Sequence, residues 1–238
     1  VVVPFENKTG DESLDMLGQM AAEMITQGMS QISEIETVPF ISVMDSYPQK
    51  KGKPSAFMVA AQDNAGILIA GSYYLQGEDL FFRASIIDAE HEKLIETPSP
   101  VKGSLKTPEE AIERLRSQIL GALAFNFPYD VQAVQTYIPS FEAYKEYQTG
   151  REIFNSDFDK ARSHFQKSVE IDSAFTIPLL WIAVSYNNQG QRVRADSIFD
   201  LINERREALP LFDRFLLDYF IAFNSGNRVK AMQFLKKA

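Results

Sequence analysis

The sequence predicts an α+β protein of two domains: a small α/β domain with a mixed sheet over residues 1–128, followed by an all-α helical domain over residues 129–238. Three β-rich runs between residues 67 and 103 are separated by short polar connections, which is the pattern of antiparallel hairpins. Stretches with apolar residues at helical spacing lie on both sides of these runs. Beyond residue 140, a 34-residue period indicates a helical repeat.

Composition and charge restrict the class of partner. The 238 residues include 45% hydrophobic and 24% charged residues, which is typical of globular proteins. The net charge of −8 arises in the first domain, because residues 1–128 hold 10 Lys and Arg against 18 Asp and Glu, whereas residues 129–238 hold 14 of each. An acidic surface disfavours nucleic acid and anionic lipid, whose phosphates need positive charge. The absence of cysteine excludes disulfides and zinc–thiolate sites.

The chain opens with VVVPFENKTGD, which predicts a strand, a turn and the start of a helix. A phosphate-binding turn needs several glycines or a Gly-Lys-Ser/Thr ending, and this turn has only Gly10. Acidic residues such as Glu6 and Asp11 repel a phosphate at a helix N-terminus, so Asp11 or Ser13 is predicted to cap the helix instead. A calcium site at Glu6, Asp11 and Asp15 is disfavoured because calcium loops carry more acidic residues. Neither a cofactor nor a metal is predicted.

A long amphipathic helix follows over residues 12–33, with apolar residues at three- and four-residue spacing from Leu14 to Ile32. Its methionine stripe of Met16, Met20 and Met24 is interpreted as core against the sheet rather than as a pliable ligand surface.

Two short elements and a loop are predicted next. The run VPFISVM predicts a second strand, and SAFMVAAQDNA predicts a short helix. The loop between them carries Lys50, Lys51 and Lys53, for which a solvated loop is favoured over an anion site.

The β-rich runs ILIAGSYYLQ, LFFRASIIDA and KLIETPSPVKG predict three strands joined through GED and EHE. The helix KTPEEAIERLRSQILGALAF then closes the domain, with Pro108 at its first position. Thr107 and Glu110 match a capping box. The predicted buried stripe is Ile112, Leu115, Ile119 and Leu123.

This succession resembles the TolB N-terminal-like domain over roughly residues 1–127. The resemblance rests on the Pro-Phe-Glu-Asn turn at residues 4–7, the Gly-Ser strand at residues 71–72, the Gly-Glu-Asp hairpin and the strand that ends in Asp88-Ala89. Such domains often precede tetratricopeptide (TPR) repeats in bacterial signalling proteins with kinase, cyclase or regulator domains. The resemblance implies a sensory or scaffolding segment and supplies no catalytic residues. The predicted location is an extracytoplasmic, periplasmic part of a membrane-anchored protein, and the alternative is the cytoplasm.

The second domain resembles the tetratricopeptide pattern over roughly residues 140–238. Ala161 and Ala195 lie 34 residues apart, and Phe165 and Phe199 follow each of them by four residues. The copy LLWIAVSYNNQGQRVRADSIFDLI matches the pattern best, with Gly190 at its turn. A less regular copy precedes it, and a third, at a spacing of 36, follows it with Gly226 at its turn. These positions predict paired helices in a superhelix.

The TPR resemblance implies a partner-binding strip along the concave surface of the superhelix. This strip lies on the first helix of each repeat, on the face away from the packing positions. The predicted strip is Tyr144, Tyr147, Arg151, Leu180, Val184, Asn187, Asn188, Leu216, Phe220, Phe223 and Asn224. Asparagines and aromatic residues suit a protein or peptide partner. The alternative is that the strip is covered and serves packing alone.

No catalytic motif is recognised. The two histidines, His91 and His164, belong to no nucleophile or metal pattern, so the chain is predicted to be non-enzymatic. The alternative is a small-molecule receptor or hydrolase with a pocket between the domains, lined by Tyr73, Tyr74, Arg83 and Tyr129. No apolar run reaches the roughly 18–20 residues that span a bilayer. Because the chain begins within a strand pattern without Met and ends within a helical pattern, we expect it to be part of a longer protein.

Overall fold

The computed structural model describes residues 1–32, 34–47, 56–127 and 137–236. The chain forms two compact units, Val1–Gln135 and Thr136–Ala238. It is an α+β protein in which a small mixed sheet is followed by helices. The predicted domain boundary between residues 128 and 129, the lysine loop and Tyr129 lie outside the described residues. Among the helices that are described, none has the length and apolar character needed to cross a membrane.

The sheet of the first unit is built around one long hairpin, β2 (Ile67–Gln76) and β3 (Asp79–Asp88), which turns at Gly77 with a φ of +65°. The short strand β1 (Glu6–Asn7) pairs with β2 in parallel. Strands β4 (Lys93–Glu96) and β5 (Val101–Ser104) both pair with β3 in antiparallel orientation, at its two ends. The sheet is therefore mixed, as the sequence predicts.

The N-terminal run pairs with β2 in two pieces. Val2 forms a parallel bridge with Ile69, and the N–H of Lys8 donates to the carbonyl oxygen of Tyr73 at 2.8 Å. Between them the backbone turns away, and the Phe5 N–H donates to the Gly18 carbonyl oxygen at 3.0 Å. Because Pro4 has no N–H to give to a ladder, the predicted strand is interrupted there.

Four helices cover the sheet: α1 (Met16–Met29), α2 (Phe40–Ser46), α3 (Ala56–Gln62) and α4 (Pro108–Asn126). Almost all of α1 is buried, including Met20 and Met24, so these two residues of the methionine stripe are core, as predicted, whereas Met16 is partly exposed. Helices α1 and α4 pack together, and α4 also lies on β3 and β5. Val43 of α2 and Val59 of α3 pack with Leu68 of β2 in one cluster of buried hydrophobic residues.

The predicted strand VPFISVM is wrong, because these residues form the start of α2. The carbonyl oxygen of Pro39 accepts hydrogen bonds from the N–H groups of Ser42 and Val43, at 3.0 and 3.3 Å. Only Phe40 and Val43 of this helix are buried, three residues apart on one helical face. The contacts to that face outweigh the strand preference of the local residues.

The third predicted β run is divided, since β4 and β5 are separated by residues 97–100 with prolines at positions 98 and 100. The predicted stripe of α4 is confirmed, and all four of its residues are buried. The predicted capping box is wrong, because the Thr107 side chain makes no capping hydrogen bond. Its ψ of 60° departs from the extended geometry usual for a cap residue.

The second unit consists of helical hairpins in its described part. They are α5 (Phe141–Ile153) with α6 (Phe158–Ile171), α7 (Ile177–Asn188) with α8 (Arg192–Asn203), and α9 (Leu211–Asn224) with α10 (Arg228–Leu235). Gly190 and Gly226 adopt φ values of +75° and +81° in the last two turns, which favour glycine. The repeated residues Ala161, Phe165, Ala195 and Phe199 are all buried, as their predicted packing role requires.

Candidate functional site

The predicted partner-binding strip lies on α5, α7 and α9, the first helices of the three hairpins. The structure buries four of its residues: Tyr144, Tyr147, Leu180 and Val184. The Tyr147 ring packs against Phe165 of α6 and against Phe175, with centroid distances of 6.1 and 5.2 Å. Nε2 of Gln148 donates to the Tyr144 hydroxyl oxygen at 2.6 Å. These four side chains therefore serve packing within the unit.

The other residues of the strip are at least partly exposed: Arg151, Asn187, Asn188, Leu216, Phe220, Phe223 and Asn224. The Arg151 guanidinium lies over the rings of Tyr147 and Trp181, 5.6 and 5.5 Å from their centroids. Asn224 donates through Nδ2 to Oδ1 of Asp196 on α8, at 2.7 Å. Asn224 thereby ties α9 to its neighbour. Partner binding by this exposed part of the strip stays a prediction.

Helix α9 carries the largest apolar part of the strip. Only Leu217 and Ala222 of its 14 residues are buried. Tyr219, Phe220 and Phe223 lie three, four and seven residues after Leu216. The four residues therefore share one face, which we call the α9 aromatic surface. Phe220 stacks on Phe199 of α8 at 5.4 Å, and Tyr219 stacks on Phe223 at 5.8 Å. Phe223 is 38% exposed.

Tyr219 was missed by the sequence-based strip, although it belongs to the same face. The spacing of Leu216, Tyr219 and Phe223, at i, i+3 and i+7, is the signal that would have found it. The predicted strip consists of equivalent positions in the three repeat copies. The repeat register cannot show how far each first helix is covered by its own neighbours.

A charged cluster joins α5 to α6. Glu146 accepts hydrogen bonds from Nδ1 of His164 at 2.7 Å and from Nζ of Lys167 at 2.5 Å. Burial acts to raise the pKa of Glu146, but the bonds and charges of Lys167 and His164 outweigh it and hold that pKa below its usual value. This arrangement explains His164 as a helix-to-helix contact.

A second contact holds the ring of Tyr186 on α7 between two arginines. The guanidinium of Arg162 lies 4.2 Å from the Tyr186 ring centroid, and that of Arg194 lies 5.6 Å from it. Arg162 also donates to the Ser185 hydroxyl at 3.0 Å and to Asp159. These contacts join α6, α7 and α8 within the repeat.

The polar groups of the turn after β1 form hydrogen bonds with one another. Nδ2 of Asn7 donates to Oδ1 of Asp15 at 2.6 Å and to the Asp11 carbonyl oxygen at 2.8 Å. Oδ1 of Asp11 accepts the Ser13 N–H at 2.9 Å, so Asp11 is a cap, as predicted, for the short 3-10 helix Glu12–Leu14 that precedes α1. Hydrogen bonds from the Ser13 side chain and from its backbone lower the pKa of Asp11. Glu6 pairs with Lys8 at 3.1 Å. Within the described ranges, no cluster of His, Asp and Glu is arranged to hold a metal ion.

The alternative pocket residues do not line one surface. Tyr73 and Tyr74 are neighbours on β2, and successive side chains of a strand point to opposite faces. Tyr73 is fully buried and donates from its hydroxyl to the Leu14 carbonyl oxygen at 2.8 Å. Tyr74 instead stacks on Phe81 at 5.5 Å, with Arg83 over its ring.

His91 lies in the β3–β4 turn beside Asp88, with ring nitrogen Nδ1 3.0 Å from Oδ2. Hydrogen bonds from the His91 backbone N–H and from its ring lower the pKa of the Asp88 carboxyl group. The pair has the geometry of a turn contact.

In comparisons with known proteins, no family model matches the chain, and no curated protein sequence is similar enough to it to count as a relative. The TolB-like and TPR resemblances therefore remain sequence-based interpretations.

Proposed function

We propose that this chain is a non-enzymatic sensor or scaffold segment of a bacterial signalling protein, and that its second unit is a TPR array that binds a protein or peptide. The proposal places the segment in an extracytoplasmic, periplasmic domain of a membrane-anchored protein, as the TolB-like resemblance implies. What supports the repeat assignment is the succession of three hairpins at 34- and 36-residue spacing, with a buried alanine and aromatic residue at equivalent places in the first two.

The observation that carries the binding role is the α9 aromatic surface. An aromatic stripe at helical spacing is normally core, and here it is only partly covered, with Phe223 more than a third exposed. Partly exposed aromatic side chains held by stacking are rigid anchors that lose little conformational entropy on binding. The exposed guanidinium and amide groups of the strip suit a peptide backbone or carboxylate.

The test uses peptides selected on the intact 238-residue chain by phage display and then measured by fluorescence anisotropy. We expect Phe223→Ser to raise the Kd of the selected peptides at least about tenfold, because it removes an apolar anchor. The matched control is Val193→Ser on α8, a position that is 82% exposed and outside the strip, and we expect it to leave the Kd within about twofold.

Trp181 emission and far-UV circular dichroism show whether each variant keeps its fold. If folded Phe223→Ser binds the selected peptides as tightly as the wild type, the α9 aromatic surface is not the binding site and the proposal fails. Equal loss in the Val193→Ser control would also contradict it.

A further inference from the structure

The first unit contains a cavity of about 810 Å³. Its walls are the C-terminal end of α1, the segment 34–42 that leads into α2, the turn 63–66 with the start of β2, and the C-terminal end of α4. Ligand pockets in proteins typically measure about 300–1,000 Å³, so this one has the size of a small-molecule site. The proposed function of the helical unit makes no use of it.

Most of the cavity wall is apolar. Its larger apolar side chains are Met29, Ile35, Val38, Ile67, Leu123 and Phe127. Leu123 is buried, whereas Phe127 is 40% exposed and stands at the mouth. Such a wall removes apolar surface of a ligand from water, which is the main contribution to affinity in small-molecule sites.

Among the described residues, the charged side chains in the wall are all acidic: Glu34, Glu36 and Asp63. Glu34 and Glu36 are exposed at the rim, and Asp63 is half-buried. Val1 also lines the cavity, and its backbone nitrogen donates to the Ile67 carbonyl oxygen at 2.7 Å. The cavity is therefore negative.

Asp63 is held in place by the turn that ends α3. The Asp63 N–H donates to the Val59 carbonyl oxygen at 3.1 Å, Asn64 adopts a φ of +51°, and the Ala65 N–H donates to the Ala60 carbonyl oxygen at 2.8 Å. Oδ2 of Asp63 is shielded from solvent, and no described protein group donates a hydrogen bond to it. A carboxylate in this setting gains from a positive charge placed beside it.

We propose that this cavity binds a small amphiphilic cation, an organic amine whose apolar body lies against Ile67 and Phe127 and whose ammonium group pairs with Asp63. An apolar wall that includes the half-buried Asp63 carboxylate selects for this chemistry in two ways. It provides area for an aliphatic or aromatic body, and it disfavours anions, because a like charge beside a half-buried carboxylate is repelled.

The first experiment compares three probes of one shape on the full chain by isothermal titration calorimetry at about pH 8: 2-phenylethylamine, 2-phenylethanol and phenylacetate. We expect the amine to bind at least about tenfold more tightly than the alcohol, and phenylacetate to bind most weakly, because only the charge differs appreciably. If the alcohol binds as well as the amine, or if phenylacetate binds best, the role of Asp63 is refuted. If no probe binds, the site is refuted.

The second experiment separates the two parts of the site. Asp63→Asn is expected to weaken binding of the amine about tenfold and to leave the alcohol unchanged, whereas Phe127→Ala is expected to weaken both probes equally. The matched controls are Asp45→Asn, an exposed carboxylate on α2, and Phe125→Ala, an 88% exposed phenylalanine on α4, and neither residue lines the cavity.

Binding of the amine that survives both Asp63→Asn and Phe127→Ala would show that it binds elsewhere, and the proposal would then fail. If Asp63→Asn does not fold, the charge series on the wild-type chain still decides the question. Loss of peptide binding in Phe223→Ser leaves the amine titration untouched, so failure of this inference and failure of the proposed function are distinguishable.

Discussion

A close backbone approach in the first unit allows a sharp test of its packing. Gly18 lies in α1 where the helix crosses the N-terminal segment, and its carbonyl oxygen accepts the Phe5 N–H. A Cβ at Gly18 would lie 3.0 Å from the Phe5 carbonyl carbon and 3.2 Å from the Phe5 nitrogen, and closer still to the Phe5 carbonyl oxygen. These neighbours are backbone atoms on the strand side of the crossing, so no side-chain rotation relieves the overlap.

The perturbation is Gly18→Ala, and two effects oppose each other. Alanine is favoured over glycine inside a helix by about 1 kcal/mol. Against this, relief of the overlap requires α1 and the N-terminal segment to separate by about 1 Å, at an overpacking cost of about 1–3 kcal/mol. Weakening of the hydrogen bond between Phe5 and Gly18 adds about 1 kcal/mol. We expect a net loss of about 2 kcal/mol in the free energy of unfolding of the first unit.

The matched control is Gly121→Ala in α4 of the same unit. A Cβ there meets no atom within 4 Å, so helix propensity acts alone and we expect a gain of about 0.5–1 kcal/mol. The two glycine substitutions are therefore expected to shift stability in opposite directions.

The assay is urea denaturation followed by two signals. The single tryptophan, Trp181, lies in α7 of the second unit, so its fluorescence follows that unit, whereas far-UV circular dichroism follows both. At an m-value of about 2 kcal/mol/M, Gly18→Ala should lower the midpoint of the first unit by about 1 M and leave the tryptophan transition unchanged. If Gly18→Ala proves as stable as the wild type, the crossing is not closely packed and the reasoning is refuted.

Three further predictions concern individual side chains. Phe165→Ala should destabilise the second unit by about 3–5 kcal/mol, measured by Trp181 fluorescence in urea, because the fully buried ring packs against that indole; an effect below about 1 kcal/mol would contradict this packing. Because the folded state lowers the pKa of Glu146, the contribution of Glu146 to stability is present above about pH 4.5 and is lost as the pH falls through the lower pKa of the folded state. Glu146→Gln should therefore flatten the dependence of the urea midpoint on pH below about 4.5. An unchanged slope would argue against the cluster. Tyr73→Phe should cost the first unit about 1 kcal/mol, by circular dichroism in urea, because the Leu14 carbonyl oxygen loses its donor; no loss would indicate that the hydroxyl is not needed there.

Local sequence patterns predicted most of the helices and the central hairpin. The apolar stripe from Ile112 to Leu123 specifies one face of α4, and the alternation along residues 67–88 specifies two strands joined at Gly77. These patterns reflect the geometry of a single element, since side chains repeat every 3.6 residues in a helix and every two in a strand. The repeat glycines at positions 190 and 226 were predictable for the same reason, because a turn with positive φ favours glycine.

Short segments with few residues on each face were predicted less well. VPFISVM has the residue types of a strand, and its helical state depends on contacts of Phe40 and Val43 with other elements. The sequence did not predict the cavity either, because segment 34–42 forms part of its wall and residues 38–44 were predicted to be a strand. The mismatch at Thr107 has a similar origin, since a cap depends on a backbone angle that residue type does not fix.

The candidate binding strip shows the same division. Register alone placed Tyr147 and Phe223 on equivalent faces, yet Tyr147 is 2% exposed and Phe223 is 38% exposed. The difference arises because Phe165 and Phe175 cover Tyr147, whereas Phe223 is held on one side by Tyr219. Exposure depends on such neighbours from other turns and helices, and a repeat pattern does not contain them.

The sequence by itself determined the identity of the long helices, the central hairpin, the acidic charge of the first half and the period of the second, because each follows from residues close together in the chain. The tertiary structure alone decided which aromatic residues stay exposed on α9, that Gly18 has no room for a side chain, and that Asp63 meets an apolar cavity. Each of these depends on atoms brought together from distant segments, and the free energy of such contacts is set by packing distances that no local pattern specifies.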